Sequence, residues 1–333
     1  MFETVRMYQP KRIHEIRAAG YAVENMDRAH EIADMHIARC VGFMDVSIRK
    51  ILEDWGILDK GLRSPGYIIE QALRDWEDYS RANDVYYSIE ELNVLRSDAT
   101  FEDAVRARIA AEWAMCSDRV MEELMIFILL LCEHSYLLPV YNYQMLTKLA
   151  FEPDAYDQVV TYLFEQYREH GDYAANNIDQ TFTEIELLFD ESRVLNEIKP
   201  DLDDIVNFGG YKITRTFHTE ATDIMNEGIA TASEFLAVAR YKYLTERDEK
   251  VCELCGPLDG RSFRFSQRQR GVNFPWIHPN CRCTAFLMIG NDSINAMLPK
   301  AELERAVYRT FGQEMPYDAW LDVWGIDYDG WLE

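Results

Sequence analysis

Four of the seven cysteines lie in one short stretch near the carboxyl end of the chain, in the segments Cys252-Glu-Leu-Cys255 and His278-Pro-Asn-Cys281-Arg-Cys283. Two cysteines separated by two residues form a tight turn that aims both sulfurs at one ion, and a second pair brought back by a hairpin completes a tetrahedron. We therefore predict a zinc site with Cys252, Cys255, Cys281 and Cys283 as ligands and His278 as a substitute ligand.

The oxidation state of these cysteines depends on where the protein resides. The first twenty residues carry four basic side chains and no continuous apolar run, so we expect no secretory signal and a protein that stays inside the cell that makes it. Clustered cysteines in a reduced compartment favour a metal over disulfides. Two disulfides, or free thiols packed around a turn, remain alternatives.

The charge balance limits the partners of the chain. The 333 residues include 34 Lys and Arg against 58 Asp and Glu, a formal charge of -24 at pH 7. A surface this acidic repels phosphate, which excludes a general nucleic-acid coat. Apolar residues make up 48% of the chain, so we expect a folded core, and the length favours about two domains.

The first 200 residues show apolar spacing typical of helices. Thr100 and Asp103 form a predicted capping box, and apolar residues follow at steps of three or four through Phe127. The longest apolar run, 124–132, is well short of the roughly 20 residues that span a bilayer, so we expect a buried helix and no membrane contact. Other helices are predicted at about 11–54, 67–83, 154–170 and 179–198, with interruptions at Ser64-Pro65-Gly66, Pro139, Pro153 and Pro200.

The pattern changes near Pro200 to Gly210, where we place a domain boundary. Beyond it, a helix is predicted at about 213–235, and short strands at 238–245, 261–265 and 284–289. The predicted fold class is α+β, with a mainly helical N-terminal domain and a smaller α+β domain that carries the Cys-rich knuckle. The predicted domains are 1–205, helical; 206–292, α+β; and 293–333, an acidic tail with a short helix and Trp320, Trp324 and Trp331, which must dock to bury their rings.

The cysteine segments stand in a longer pattern that is specific to one family. Asp248-Glu-Lys-Val-Cys-Glu-Leu-Cys-Gly-Pro-Leu-Asp-Gly260, followed by Pro275 and His278-Pro-Asn-Cys-Arg-Cys-Thr284, resembles the C-terminal signature of the phage minor head protein family, the Mu F-like head morphogenesis proteins. Upstream, Arg215-Thr216, Glu220, Asn226 and Gly228 are similar to the Arg-Thr-Glu helix of that family, although three residues separate the Arg-Thr pair from Glu220. The resemblance covers about residues 210–290.

This resemblance implies a biological role. It implies a non-enzymatic bacteriophage minor capsid protein of low copy number, associated with the portal vertex inside the procapsid, that assists head assembly or the packaging and ejection of DNA. The implied partners are the portal protein and the major capsid or scaffold protein. The implied location is the capsid interior of the virion, and the host cytoplasm during assembly.

The knuckle region is locally basic. Residues 240–283 contain nine Lys or Arg and five acids. Arg261, Arg264, Arg268 and Arg270 are therefore candidate contacts for DNA or an acidic partner, with a solvated loop as the alternative. So few phosphate contacts predict weak, salt-sensitive DNA binding.

Two other classes of protein compete with the capsid interpretation. His218-Thr-Glu220 followed by Cys252 and Cys255 imitates a zinc-dependent nucleobase deaminase, in which His and two Cys hold zinc and Glu shuttles the proton. Val251 stands where that pattern has Pro, and the deaminase arrangement leaves Cys281 and Cys283 without a role. A prophage-derived interaction protein is the third hypothesis.

Overall fold

A computed structural model describes most of the chain: residues 3–85, 88–93, 96–147, 156–190, 195–246, 248, 250–288, 316–324 and 326. The chain forms two compact units. The sheet unit comprises 1–34, 126–169 and 215–333, and the helical unit comprises 35–125 and 170–214. This grouping by contact differs from the three consecutive domains predicted from the sequence, which stay a prediction.

Helices dominate the described residues, and the predicted fold class, a large helical part followed by a small sheet with a Cys cluster, is confirmed. The predicted helix at about 11–54 lies within the first helix, Glu3–Asp59, and the one at about 67–83 matches the second, Pro65–Ala82, to within two residues at each end. The helices are α1 Glu3–Asp59, α2 Pro65–Ala82, α3 Phe101–Thr147, α4 Tyr156–Tyr167, α5 Gly171–Asp190, α6 Leu195–Phe235 and α7 Tyr317–Trp324.

Prolines begin one helix and leave two others unbroken. Ser64 caps α2 by accepting a hydrogen bond from the backbone N–H of Tyr67, with Pro65 in the first turn, so the helix begins within the predicted interruption Ser64-Pro65-Gly66. The predicted interruptions at Pro139 and Pro200 are wrong, because α3 and α6 continue through them. At Pro139 the adjoining residues are buried, so packing offsets the lost backbone hydrogen bond. Pro153 lies outside the described residues.

Helix α3 begins at the predicted capping box. Thr100 N–H donates to Asp103 Oδ2 at 2.8 Å, and Asp103 N–H donates back to Thr100 Oγ1 at 3.1 Å. Among the described residues, this is the helix whose length and composition would allow it to cross a membrane, but 72% of its most apolar window is buried inside the protein. It therefore packs as a core helix, as predicted for 124–132.

The helical unit buries one arginine against three acids. Arg108 is 1% exposed. Its guanidinium donates to Asp54 and Asp75 at 2.6 Å each and to Glu112 at 3.1 Å. Burial raises the pKa of Glu112 above its usual value despite the attraction of Arg108. The cation therefore holds together carboxylates that the interior would otherwise reject.

The sheet unit contains three short antiparallel strands in the order β2-β1-β3. They are β1 Arg240–Leu244, β2 Ser262–Arg264 and β3 Thr284–Leu287. The central strand pairs Tyr241 with Phe263 on one side and Tyr243 with Ala285 on the other. All three predicted strands are confirmed to within three residues at each end.

Strand β1 departs from the predicted half-buried pattern. In the sequence, Arg240, Lys242 and Leu244 alternate with Tyr241 and Tyr243, which predicts a half-buried strand, yet the last four residues of the strand are all buried. The reason is that both faces are covered: the Lys242 ammonium lies 6.0 Å from the ring centre of Phe286. A lysine stem can cover apolar surface in this way, which alternation alone does not reveal.

The short C-terminal helix α7 docks on α3 within the sheet unit. Trp320 is 2% exposed, and its indole N–H donates to Gln144 Oε1 at 3.1 Å. The Tyr317 hydroxyl lies 2.9 Å from His134 Nδ1. The expected docking of the tail is thus seen for Trp320, whereas the side chain of Trp324 and all of Trp331 lie outside the described residues.

Candidate metal centre

The first candidate metal-binding segment, Cys252 to Cys255, forms a tight turn after strand β1. The Cys255 N–H donates to Cys252 Sγ at 3.3 Å, and the Gly256 N–H donates to the Cys252 carbonyl at 3.0 Å. These bonds curl the backbone around the Cys252 sulfur, so both sulfurs of the Cys-x-x-Cys pair face the same side.

The second candidate metal-binding segment, His278 to Cys283, forms another turn before strand β3. The Cys281 N–H donates to the His278 carbonyl at 3.1 Å, so His278-x-x-Cys281 has the same spacing as the first turn. Asn280 closes it with a φ of +60°, in the left-handed region that asparagine tolerates better than most residues. Cys283 follows immediately before β3.

The structure brings all five predicted ligand residues together. His278 Nε2 lies 3.1 Å from Cys252 Sγ and 3.3 Å from Cys255 Sγ. Cys255 Sγ lies 3.9 Å from Cys281 Sγ. The donor atoms form two overlapping groups, Cys252 with Cys255 and His278, and Cys255 with Cys281 and Cys283, each within 4.8 Å. Cys255 belongs to both groups, so the cluster offers five donors to a metal that takes four.

The imidazole of His278 is oriented for coordination. Its Nδ1 lies 2.8 Å from the Pro279 carbonyl oxygen, which can only accept a hydrogen bond. Nδ1 therefore carries a proton, and Nε2, the ring atom left for a metal, faces the two sulfurs. Metal-binding histidines are held in this way by a carbonyl on the second nitrogen.

The surroundings favour the thiolate form at two of the four cysteines, Cys252 and Cys281. Burial raises the pKa of Cys252, but hydrogen bonds from the backbone N–H groups of Cys255 and Leu254 bring it below its usual value. Bonds from the thiols of Cys255 and Cys283 lower the pKa of Cys281. The pKa of Cys255 is raised by its bond to Cys281, and that of Cys283 by its bonds to Cys255 and Cys281. A thiophilic cation would displace these shared protons.

Sequence reasoning missed one functional neighbour of the sulfurs. Tyr243 is fully buried and its hydroxyl donates to Cys255 Sγ at 3.5 Å. It packs with the cysteines in one small cluster. The signal was its place in β1 next to the first cysteine turn, but which hydroxyl reaches the sulfurs depends on the strand register.

The four arginines of the predicted basic patch have different surroundings. Arg268 donates to Glu227 Oε1 at 2.6 Å, and Arg270 lies 3.1 Å from Asp223 Oδ1 and also donates to the Tyr167 hydroxyl. Burial raises the pKa of Asp223 to about 6. These two arginines therefore neutralise buried acids of α6. The other two arginines, Arg261 and Arg264, are exposed, and DNA contact by this patch stays a prediction.

The residues required for a deaminase are not assembled. His218 Nε2 lies 2.8 Å from Asp34 Oδ1, and Glu220 is buried near Asp223 and Tyr167. Among the described residues, the groups close enough to share a metal contain neither His218 nor Glu220. The geometry therefore gives the deaminase hypothesis no support.

The fold and the site together define a class: a mainly helical protein whose small terminal sheet is built around a cluster of Cys and His donors. Within it, residues 193–286, less than a third of the chain, match the family described as Phage Mu protein F like protein. The match confirms the resemblance seen in the sequence, extends it upstream of 210, and supports a role in phage head morphogenesis in general terms. Comparisons with curated proteins and with solved structures gave no match.

Proposed function

We propose that this protein is a bacteriophage minor capsid protein of low copy number that is associated with the portal vertex inside the procapsid. It assists head assembly, or the packaging and ejection of DNA. The match of 193–286 to the Mu F-like family carries the proposal, because that segment includes α6, both metal-binding segments and nearly the whole sheet.

We further propose that the Cys and His cluster holds one structural zinc ion. The sheet has only 3 to 5 residues per strand, and such small folds commonly need a metal or disulfides for stability. The ligands are Cys252, Cys255, His278 and Cys281. The turns Cys252-x-x-Cys255 and His278-x-x-Cys281, which have equal spacing, each supply two of these ligands. The distance of 3.9 Å between Cys255 Sγ and Cys281 Sγ fits two sulfurs that each lie about 2.3 Å from one tetrahedral ion.

The division of charge supports a protein held by protein contacts. The chain carries a net charge of -24, and Arg268 and Arg270 are engaged with acids of α6. Of the four arginines in the basic patch, this leaves Arg261 and Arg264 for phosphate. DNA retention by the isolated protein is therefore weak and is lost with modest salt. The portal protein, and the major capsid or scaffold protein, are the proposed partners.

The test is co-sedimentation with procapsids that contain portal and with procapsids that lack it. Binding to the first that survives about 0.5 M salt, with little binding to the second, is the expected result, because at that salt exposed charge pairs are screened. Equal binding to both kinds of procapsid would contradict the portal association. Absence of the protein from purified virions and procapsids would contradict the capsid assignment itself.

A further inference from the structure

Helix α6 directs polar side chains at the backbone of the second metal-binding segment. Thr219 Oγ1 accepts a hydrogen bond from the Asn280 N–H at 3.1 Å. One turn further on, the hydroxyl of Thr222 donates to the Cys281 carbonyl. The positions 219, 222 and 226 are spaced three and four residues apart, so their side chains share one face of the helix.

Asn226 completes this face by bonding as a strand residue would. Its Nδ2 lies 3.2 Å from the Cys283 carbonyl oxygen, and its Oδ1 accepts from the Ala285 N–H at 2.7 Å. A residue of a parallel neighbouring strand makes the same two bonds, to the carbonyl before and to the N–H after the residue that it faces. The second amide hydrogen of Asn226 goes to the Thr222 carbonyl at 2.7 Å, which fixes the side chain, and Asn226 is fully buried.

Helix α1 extends this network by one residue. His30 Nε2 lies 3.2 Å from Thr222 Oγ1. Because the Thr222 hydroxyl donates its hydrogen to Cys281, its oxygen accepts from His30. Burial and the neighbouring His218 lower the pKa of His30 to about 4, so the ring is neutral and can donate from Nε2. A hydrogen-bonded chain therefore runs from α1 through α6 to the backbone of a proposed metal ligand.

We propose that Thr219, Thr222 and Asn226 are positioning residues for the metal centre. They hold the backbone from 280 to 285, and this sets where the Cys281 sulfur stands relative to the first cysteine turn. The proposal rests on the zinc proposal above. Removing partners that orient metal ligands typically weakens metal affinity about 10- to 100-fold.

The test measures zinc affinity of the purified full-length protein by competition with a chromophoric chelator. Thr222→Val, which removes the hydroxyl at nearly constant volume, and Asn226→Leu are expected to bind zinc about 10-fold or more weakly. Thr222→Ser keeps the hydroxyl and should restore near-normal affinity. Thr231→Val is the matched control, because the Thr231 hydroxyl bonds to the Glu227 carbonyl of its own helix.

A second readout protects the test against general destabilisation. In the zinc-loaded protein, amide hydrogen exchange at Asn280 should accelerate in Thr219→Val but not in Asn226→Leu. Exchange at Ala285 should accelerate in Asn226→Leu but not in Thr219→Val. Zinc binding by Thr222→Val and Asn226→Leu equal to that of the unchanged protein would overturn the positioning role and leave the zinc site standing. No zinc binding by the unchanged protein would overturn both proposals.

Discussion

Single substitutions can identify the fourth ligand of the proposed zinc ion. Cys283→Ser is expected to keep about one zinc per chain, whereas His278→Ala and Cys281→Ser lose tight binding, because a structural zinc site needs all four of its ligands. Metal content of protein purified under reducing conditions, together with the visible spectrum of the cobalt-substituted form, measures this. Loss of the metal in Cys283→Ser but not in His278→Ala would instead support the ligand set predicted from the sequence.

The buried arginine of the helical unit gives a second prediction at this scale. Arg108→Met leaves the carboxylates of Asp54 and Glu112 buried without their cation, so we expect a loss of about 3–5 kcal/mol of unfolding free energy by denaturant titration. Arg49→Met is the control, since Arg49 and Asp45 form an exposed pair one turn apart that contributes roughly 1 kcal/mol or less. Equal losses in the two variants would contradict the account of the buried network.

The meeting of the candidate donor residues was predictable because the spacing of cysteines restricts which sulfurs can meet. The sequence predicted all five donors that the structure brings together. It ranked Cys283 above His278, whereas the proposed ligand set prefers His278, because the Pro279 carbonyl orients the imidazole with Nε2 toward the sulfurs. It also could not show that Arg268 and Arg270 have acidic partners, since Asp223 and Glu227 are distant in sequence.

At the scale of elements, the approach of α3 to α6 depends on one glycine. A Cβ at Gly228 would overlap the backbone and side chain of Ser135. Ala normally stabilises a helix relative to Gly by about 1 kcal/mol, but Gly228→Ala should instead cost roughly 1–3 kcal/mol in unfolding free energy. Gly42→Ala, at a position in α1 with open space around it, should show the ordinary stabilisation. A stabilised Gly228→Ala would contradict the close contact of these helices.

The contact of α7 with the buried His134 predicts that the unfolding free energy depends on pH. Burial lowers the pKa of His134 to about 3, so the folded state holds a neutral ring that Tyr317 contacts. The unfolded chain takes up a proton near pH 6.5, so the stability contributed by this neutral ring is present above pH 6.5 and is lost progressively as pH falls toward 3. The unfolding free energy of His134→Gln should therefore fall less steeply over that range. The same dependence of unfolding free energy on pH in the two proteins would contradict a buried, neutral His134.

Sequence patterns located the elements better than their interruptions. The capping box at Thr100 and the strands were predictable, because they follow from local hydrogen bonding and alternation. The continuity of α3 through Pro139 was not, because tertiary packing of the adjoining buried residues overrides a local breaker. The burial of Lys242 was missed for a similar reason, since Phe286 is contributed by a strand more than 40 residues away.

For the whole molecule, removing the metal should act on one part of the chain. A strong chelator is expected to increase amide hydrogen exchange through 250–288, where the proposed zinc holds the small sheet, because a ligand bound only by the folded state stabilises it by mass action. Exchange in 35–125 should change little, since those residues belong to the other unit. Uniform acceleration, or none in 250–288, would contradict a local structural role for the metal.

The bonds that Asn226 makes to Cys283 and Ala285 have a further consequence for proteins crowded together. An open strand edge is a template on which a second copy can add its own strand, and such pairing leads to aggregation. Here a side chain of the same molecule bonds two backbone groups at the outer edge of β3, so this edge is less open to a strand of a neighbouring copy. Two copies of the chain at high local concentration are therefore less able to join through the edge of their smallest element.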